Sequence, residues 1–177
     1  MRILVTYWTR TGNTRRVAEN IFGALSGEKE LLSLDQVVSI ENYQMIFLGF
    51  PVMQFGLPAP VNEFILRNTG WGHFVLFITH ALSATAGDPE LQVILDKEIQ
   101  RCTRVFTKVK PVGLFHCQGE LSESAASELL ATGNPMLKQF ADMRAATIGH
   151  PDREELDQAY QFAVTTFKEV EEKIKQL

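Results

Sequence analysis

The stretch Ile3-Leu4-Val5-Thr6-Tyr7-Trp8-Thr9-Arg10-Thr11-Gly12-Asn13-Thr14 decides the fold of this chain. Residues 3–8 form a β-rich apolar run, and helical spacing then links Val17, Ala18, Ile21 and Leu25. Between the two, residues 9–14 are all polar or glycine. Backbone N–H groups at a helix start, together with the helix dipole, favour an anion. The stretch therefore predicts a phosphate-binding loop between a strand and a helix.

Strand and helix patterns alternate along the rest of the chain. Further strands are predicted at residues 31–34, 43–50, 73–79 and 109–117, with helices after the third and fourth strands. After a polar segment and a break at 133–135, a last helix carries the apolar stripe Leu156, Tyr160, Ala163, Phe167, Val170 and Ile174. This order predicts an α/β fold: a doubly wound, five-stranded parallel sheet with helices on both faces. We expect residues 1–177 to form one domain.

Composition excludes several classes of partner. The net charge is −4 and the pI is near 5.6, whereas nucleic-acid-binding proteins present basic surfaces. The first apolar run is too short for a signal peptide, and no stretch approaches the roughly 20 apolar residues of a membrane span. Cys102 and Cys117 lack metal-site spacing, so we expect two buried free thiols rather than a disulfide. These features predict a cytoplasmic protein without a metal site.

Ligands of open parallel sheets bind outside the carboxyl ends of the strands. Three loops therefore qualify, at residues 9–14, 51–57 and 80–88. The first loop contains neither GxxxxGK[ST] nor GxGxxG, which disfavours P-loop and dinucleotide-binding sites. A response-regulator receiver is excluded as well, since the required acidic residues after the first and third strands are Thr9 and Gly49-Phe50-Pro51 here.

Residues 9–14 resemble the flavodoxin phosphate loop, [ST]-x-T-G-x-T, which follows the first strand in that family. The resemblance extends over the whole chain in element order, and it implies the strand order 2-1-3-4-5 and the cofactor FMN. It implies that Thr9, Thr11, Asn13 and Thr14 bind the phosphate through side chains and amides, and Arg10 and Gly12 chiefly through amides. The alternative is an ordinary helix N-cap by Thr11 or Asn13.

The second loop departs from typical flavodoxins, which place a tryptophan against the flavin ring. The candidates here are Pro51, Val52, Met53, Gln54, Phe55 and Gly56. Met53 and Phe55 are expected to cover one ring face, since a thioether and a phenyl ring pack well on an aromatic plane. Phe55 could instead pack into the core. Gly56 would tolerate the positive φ of a backbone flip beside the flavin.

The third loop contributes Thr79, His80, Ala81 and Leu82, and it lacks the tyrosine that commonly stacks on the other ring face. His80 or Leu82 would have to serve. Without the electron-rich tyrosine, we expect a less negative potential for the second electron than in typical flavodoxins. His80 either donates a hydrogen bond to the flavin or titrates near neutral pH. The alternative is a loop histidine bonded to backbone.

Other polar residues receive structural assignments. Arg10, Arg15 and Arg16 are either solvated or steer an acidic redox partner or a second anion. Cys117, at the end of the fifth strand near the expected flavin edge, is taken as a packed thiol. His150-Pro151-Asp152 reads as a turn and helix start. No catalytic residue is assigned.

Three functions remain open. The first is an electron carrier that shuttles electrons between a reductase and an acceptor protein; the chain shows no separate NAD(P)H domain. The second is an FMN-dependent NAD(P)H:quinone-type oxidoreductase, which Gly49-x-Pro51, Phe55-Gly56 and Thr69-Gly70-x-Gly72 loosely resemble, although 79–82 does not match its third loop. The third is a binding module that has lost flavin, against which the intact first loop argues. Partners and oligomeric state are left open.

Overall fold

A computed structural model describes residues 1–53, 56–68, 70–82, 89–107 and 110–176. The strands are β1 (Arg2–Tyr7), β2 (Glu28–Ser33), β3 (Met45–Pro51), β4 (His73–His80) and β5 (Gly113–Gln118). The helices are α1 (Asn13–Ala24), α2 (Ala59–Asn68), α3 (Pro89–Thr103), α4 (Glu123–Ala131), α5 (Pro135–Asp142) and α6 (Arg153–Lys175), with 3₁₀ turns at Leu34–Gln36 and Met143–Thr147.

The five strands form one sheet in the order β2-β1-β3-β4-β5, and every neighbouring pair is parallel. Val5 at the centre of β1 pairs with Leu31 on one side and Phe47 on the other. The predicted fold class and strand order are therefore confirmed. Because all strands run the same way, the carboxyl ends of β1, β3, β4 and β5 meet at one edge of the sheet.

Each face of the sheet carries its own apolar core, and alternate residues of each strand supply the two cores. Leu4, Ile46, Leu48, Leu76 and Ile78 pack with α2 and α3 on one face. On the other face, α1 and α6 cover a second set of buried side chains, namely Ile3, Val5, Met45, Phe47, Val75 and Phe77. β3 and β4 read as continuous apolar runs because helices cover them on both sides.

Two sequence expectations about the C-terminal third are wrong. The segment expected to be merely polar forms α4, of whose residues Ala126 alone is buried. One position of the predicted α6 stripe is also wrong: Tyr160 is 40% exposed, and Ala159 takes the buried position instead, whereas the other five stripe residues belong to the core. Tyr160 fits the helical spacing as well as Ala159 does, but only a small side chain fits where α6 packs closely against α1. No described helix is long and apolar enough to cross a membrane.

Candidate functional site

A cavity opens at the carboxyl edge of the sheet, and it gathers residues from all three predicted loops. Most of the predicted site residues line it: Thr9, Arg10, Thr11, Asn13, Thr14, Pro51, Val52, Met53, Thr79, His80 and Ala81. Gly12, Gly56 and Leu82 lie beside it in sequence but do not line it. Gln54, Phe55 and residues 83–88 lie outside the described residues. The parallel sheet topology thus brings together predicted site residues up to 72 positions apart in the chain, from Thr9 to Ala81.

Backbone hydrogen bonds continue the sheet past the strand ends and hold the loops together. The Trp8 amide donates to the Gly49 carbonyl (2.9 Å), and the Val52 amide donates to Thr79 (2.8 Å). The Gly119 amide donates to the carbonyl of His80 (2.8 Å). The floor of the cavity is therefore backbone fixed by the sheet itself.

The first loop ends in an open helix N-terminus. Gly12 is the N-cap of α1 with φ of 96°, a left-handed conformation that suits glycine, and no described side chain caps this end. The interpretation of Thr11 or Asn13 as an N-cap is therefore wrong. A Cβ built on Gly12 would have no described heavy atom within 4 Å beyond its chain neighbours. Since the first N–H groups of a helix lack intrahelical acceptors, this end offers free backbone donors.

The side chains of the first loop have distinct partners. The Thr9 hydroxyl oxygen accepts from the Gly12 amide (3.0 Å), which leaves its own proton available. The Asn13 amide donates to the Glu120 carbonyl (2.8 Å). Thr14 is fully buried, and its hydroxyl bonds to that of Thr79 at 2.8 Å. Thr14 thus ties the first loop to the third, while exposed Thr11 keeps a hydroxyl at the cavity.

Two of the three arginines near the first loop, Arg10 and Arg15, pair with surface carboxylates. Arg10 donates two hydrogen bonds to Glu128 of α4, at 3.2 and 2.5 Å, and Arg15 pairs with Glu19 at 2.8 Å. Both guanidinium groups are exposed, and each carboxylate raises the pKa of its arginine partner. Arg10 in particular is drawn toward α4, so its charge at the cavity is largely neutralised.

The second loop begins as a short antiparallel turn. Met53 and Gly56 exchange two backbone hydrogen bonds of 2.9 Å and form an isolated antiparallel bridge. Met53 is half-buried and lines the cavity. A Cβ on Gly56 would meet no described atom within 4 Å.

His80 is the last residue of β4 and is only 5% exposed. Burial, reinforced by the charge of neighbouring His116, lowers the pKa of His80 to about 3. The expectation that His80 titrates near neutral pH is therefore wrong, since the imidazole stays neutral throughout the physiological range. Its Nδ1 bonds to the Leu82 carbonyl at 3.0 Å, as the backbone-bonded alternative predicts.

The cavity is also lined by a fourth segment, which sequence reasoning missed. It follows β5 and consists of Gly119, Glu120, Leu121, Ser122 and Ala125. Ser122 caps α4 by accepting from the Ala125 amide at 3.2 Å, so this segment is fixed by a helix start. The Glu120 carboxylate accepts from the Gly149 amide (3.1 Å). The rule that locates the other loops also applies to the end of β5 and would have found this segment.

The remaining polar features are structural, as expected. Cys117 is buried and unpaired, and burial raises the pKa of its thiol to about 12, as it does for Cys102. Asp152 is the N-cap of α6 and forms a capping box with Glu155. His150 joins this cap, with its Nδ1 2.6 Å from the Glu155 carboxylate.

Comparison with known proteins places this architecture in context. A curated relative, the flavodoxin-like domain-containing protein BilS of Clostridioides difficile, is 27% identical over 173 residues, covering 92% of this chain and 94% of the relative. Among solved structures, a flavodoxin from the domain Archaea superposes with a TM-score of 0.56 at 15% identity, covering 97% of this chain and 99% of that one. Oxidised flavodoxin 2 of Bacillus cereus gives 0.54 at 15% identity, with coverage of 96% and 99%. Both solved structures share the fold.

The sequence model of the flavodoxin domain matches residues 4–164, a span that contains β2 to β5, most of β1 and every residue of the cavity. This match extends over most of the chain and agrees with the observed strand order. The chain belongs to the flavodoxin domain family.

Proposed function

We propose that residues 1–177 form a single domain that binds FMN in the cavity at the sheet edge and carries electrons between redox partner proteins. Family membership supports FMN as the cofactor. A solved neighbour, a flavoprotein in complex with FMN from Lactobacillus acidophilus, has a TM-score of 0.51 at 14% identity, covering 75% of this chain and 99% of that one. The observation that carries the proposal is the start of α1, which has no side-chain cap among the described residues and whose first residues, Asn13 and Thr14, line the cavity.

The phosphate end fits a dianion without a dedicated cation. Backbone N–H groups at the start of α1 and the helix dipole attract the phosphate. The hydroxyls of Thr9 and Thr11 can donate further hydrogen bonds, because Thr9 uses only its oxygen internally. Thr14 is proposed to act through its backbone, because its hydroxyl bonds to Thr79. Arg10 is engaged by Glu128, so neutral donors carry the recognition.

The ring end of the cavity is less polar. Pro51, Val52 and Met53 line it together with Thr79, His80 and Ala81. Neutral His80 adds no charge there, so these residues bind and orient the ring chiefly by packing and exclude water from it. When bound, FMN supplies one- and two-electron transfer, and the protein tunes and exposes it.

The carrier role is proposed over a reductase because residues 79–82, Thr-His-Ala-Leu, lack the third loop of flavodoxin-like quinone reductases. We further propose a cytoplasmic location, since two free buried thiols suit a reducing compartment. The test is a steady-state assay of FMN-loaded protein. We expect slow oxidation of NAD(P)H with a quinone and rapid reduction once a flavodoxin reductase is added. Rapid multiple turnover with NAD(P)H and quinone alone would overturn the carrier role and favour the oxidoreductase.

A further inference from the structure

Two histidines meet at the carboxyl ends of β4 and β5. The Nε2 atom of His80 lies 3.2 Å from the Nδ1 atom of His116, and the ring centroids are 5.3 Å apart. His80 is buried and lines the cavity, whereas His116 is exposed on the edge strand. The pair therefore connects the wall of the cavity to the outer surface of the sheet.

The hydrogen-bond partners determine where the protons lie. The Leu82 carbonyl can only accept, so the Nδ1 atom of His80 carries a proton and donates to it. Since burial keeps His80 neutral, its Nε2 atom is an acceptor. The Nδ1 atom of His116 must then donate to it. A neutral or a protonated His116 can both make this donation, because Nδ1 carries a proton in each form.

We propose that His116 is a positioning residue: by donating to Nε2 of His80, it selects, together with the Leu82 carbonyl, the tautomer whose Nδ1–H donates to that carbonyl, and thereby holds Ala81 and Leu82 in place for the cofactor. The inference rests on the proposed binding of FMN in this cavity. In the other tautomer, an Nδ1 lone pair of His80 would face the oxygen of Leu82, and the buried contact would be lost. Leu82 packs against the core on the α2 and α3 side and directly follows Ala81 of the cavity wall.

The experiment compares the wild type with His116→Leu, which removes the donor, and His116→Asn, whose amide N–H can replace Nδ1–H. Leu114→Ala, at an exposed position on the same face of β5, is the matched control. Long-range ¹H–¹⁵N NMR of the FMN-free protein reports the His80 tautomer, and quenching of FMN fluorescence gives the dissociation constant. Dispersed amide spectra verify that each variant folds.

We expect His80 to be protonated at Nδ1 in the wild type, His116→Asn and Leu114→Ala, and to lose this signature in His116→Leu. FMN binding should weaken roughly tenfold in His116→Leu alone, as for a lost hydrogen bond that leaves a buried group unsatisfied. An unchanged tautomer or unchanged FMN affinity in His116→Leu would overturn the inference, as would failure of His116→Asn to restore both. If His80 of the wild type were protonated at Nδ1 as expected but the protein bound no FMN, the proposed function would fail. The part of the inference that concerns the cofactor would fail with it.

Discussion

The hydroxyl pair of Thr14 and Thr79 gives a quantitative prediction about the coupling between two loops of the site. Thr14 of α1 is fully buried, and Thr79 of β4 is 2% exposed. Their hydroxyl oxygens lie 2.8 Å apart in a hydrogen bond. Thr14→Val keeps the shape but leaves the Thr79 hydroxyl without its partner. Because a buried unsatisfied polar group costs about 1–3 kcal/mol, each single valine variant should be destabilised by that amount. Replacing both hydroxyls removes the unsatisfied group, so the double variant should be little less stable than either single variant.

A double-mutant cycle by urea unfolding of the FMN-free protein measures this coupling. We expect an interaction energy of about 1–2 kcal/mol, well above the roughly 0.3–0.5 kcal/mol error of additivity between independent sites. For a domain of this size, a loss of about 2 kcal/mol lowers the melting temperature by roughly 4–8 °C. FMN affinity per folded molecule should change little in Thr14→Val, because the hydroxyl points to Thr79. Additive single-variant effects would refute the reasoning.

Three further predictions concern burial. Between the unfolded pKa of 6.5 and the folded value of about 3, only the unfolded chain protonates His80, so its contribution to stability is complete above pH 6.5 and declines as pH falls. Urea unfolding at about pH 4–7 measures how the free energy of unfolding changes with pH. The slope should be up to about 1.4 kcal/mol per pH unit steeper in the wild type than in His80→Asn. Equal slopes would contradict the burial of His80. Gly49→Ala would place a Cβ 1.9 Å from the Phe77 ring and should cost at least about 1–3 kcal/mol, whereas Gly23→Ala, with no described atom within 4 Å, should be neutral or stabilising by calorimetry. Similar melting temperatures for both variants would argue against this clash. Cys102 and Cys117 should resist iodoacetamide at pH 8 in the folded protein, because burial raises both pKa values to about 12; prompt labelling by mass spectrometry would disprove it.

Much of the fold was predictable because the relevant signals are local. The apolar runs of β3 and β4 and the spacing of Val17, Ala18 and Ile21 each reveal an element without knowledge of its neighbours. Helix α4 is weakly marked because Ala126 is its one buried residue and Leu130 is exposed. On α6, spacing cannot decide between Ala159 and Tyr160, and only the packing against α1 does so.

The site was predictable to the extent that topology places it. Three loops follow from strand order, and the same rule applies to the fourth segment at the end of β5, but the contacts that join this segment to the first loop do not follow from it. The bond from Asn13 to the Glu120 carbonyl spans 107 positions, and no local pattern announces it. The depressed pKa of His80 likewise depends on burial and on His116, 36 positions away. Interactions between distant segments decide the protonation and hydrogen-bonding state of a site.

The central claim is that the open start of α1 holds the phosphate of FMN. The most direct measurement is the affinity of the FMN-free protein for FMN and for riboflavin, which lacks the phosphate, by fluorescence quenching at fixed ionic strength. Several hydrogen bonds to a charged group, at about 1.5–3 kcal/mol each, predict at least a roughly hundredfold preference for FMN, reduced by Thr11→Ala. Equal affinities for the two flavins, or no binding of FMN, would contradict the account.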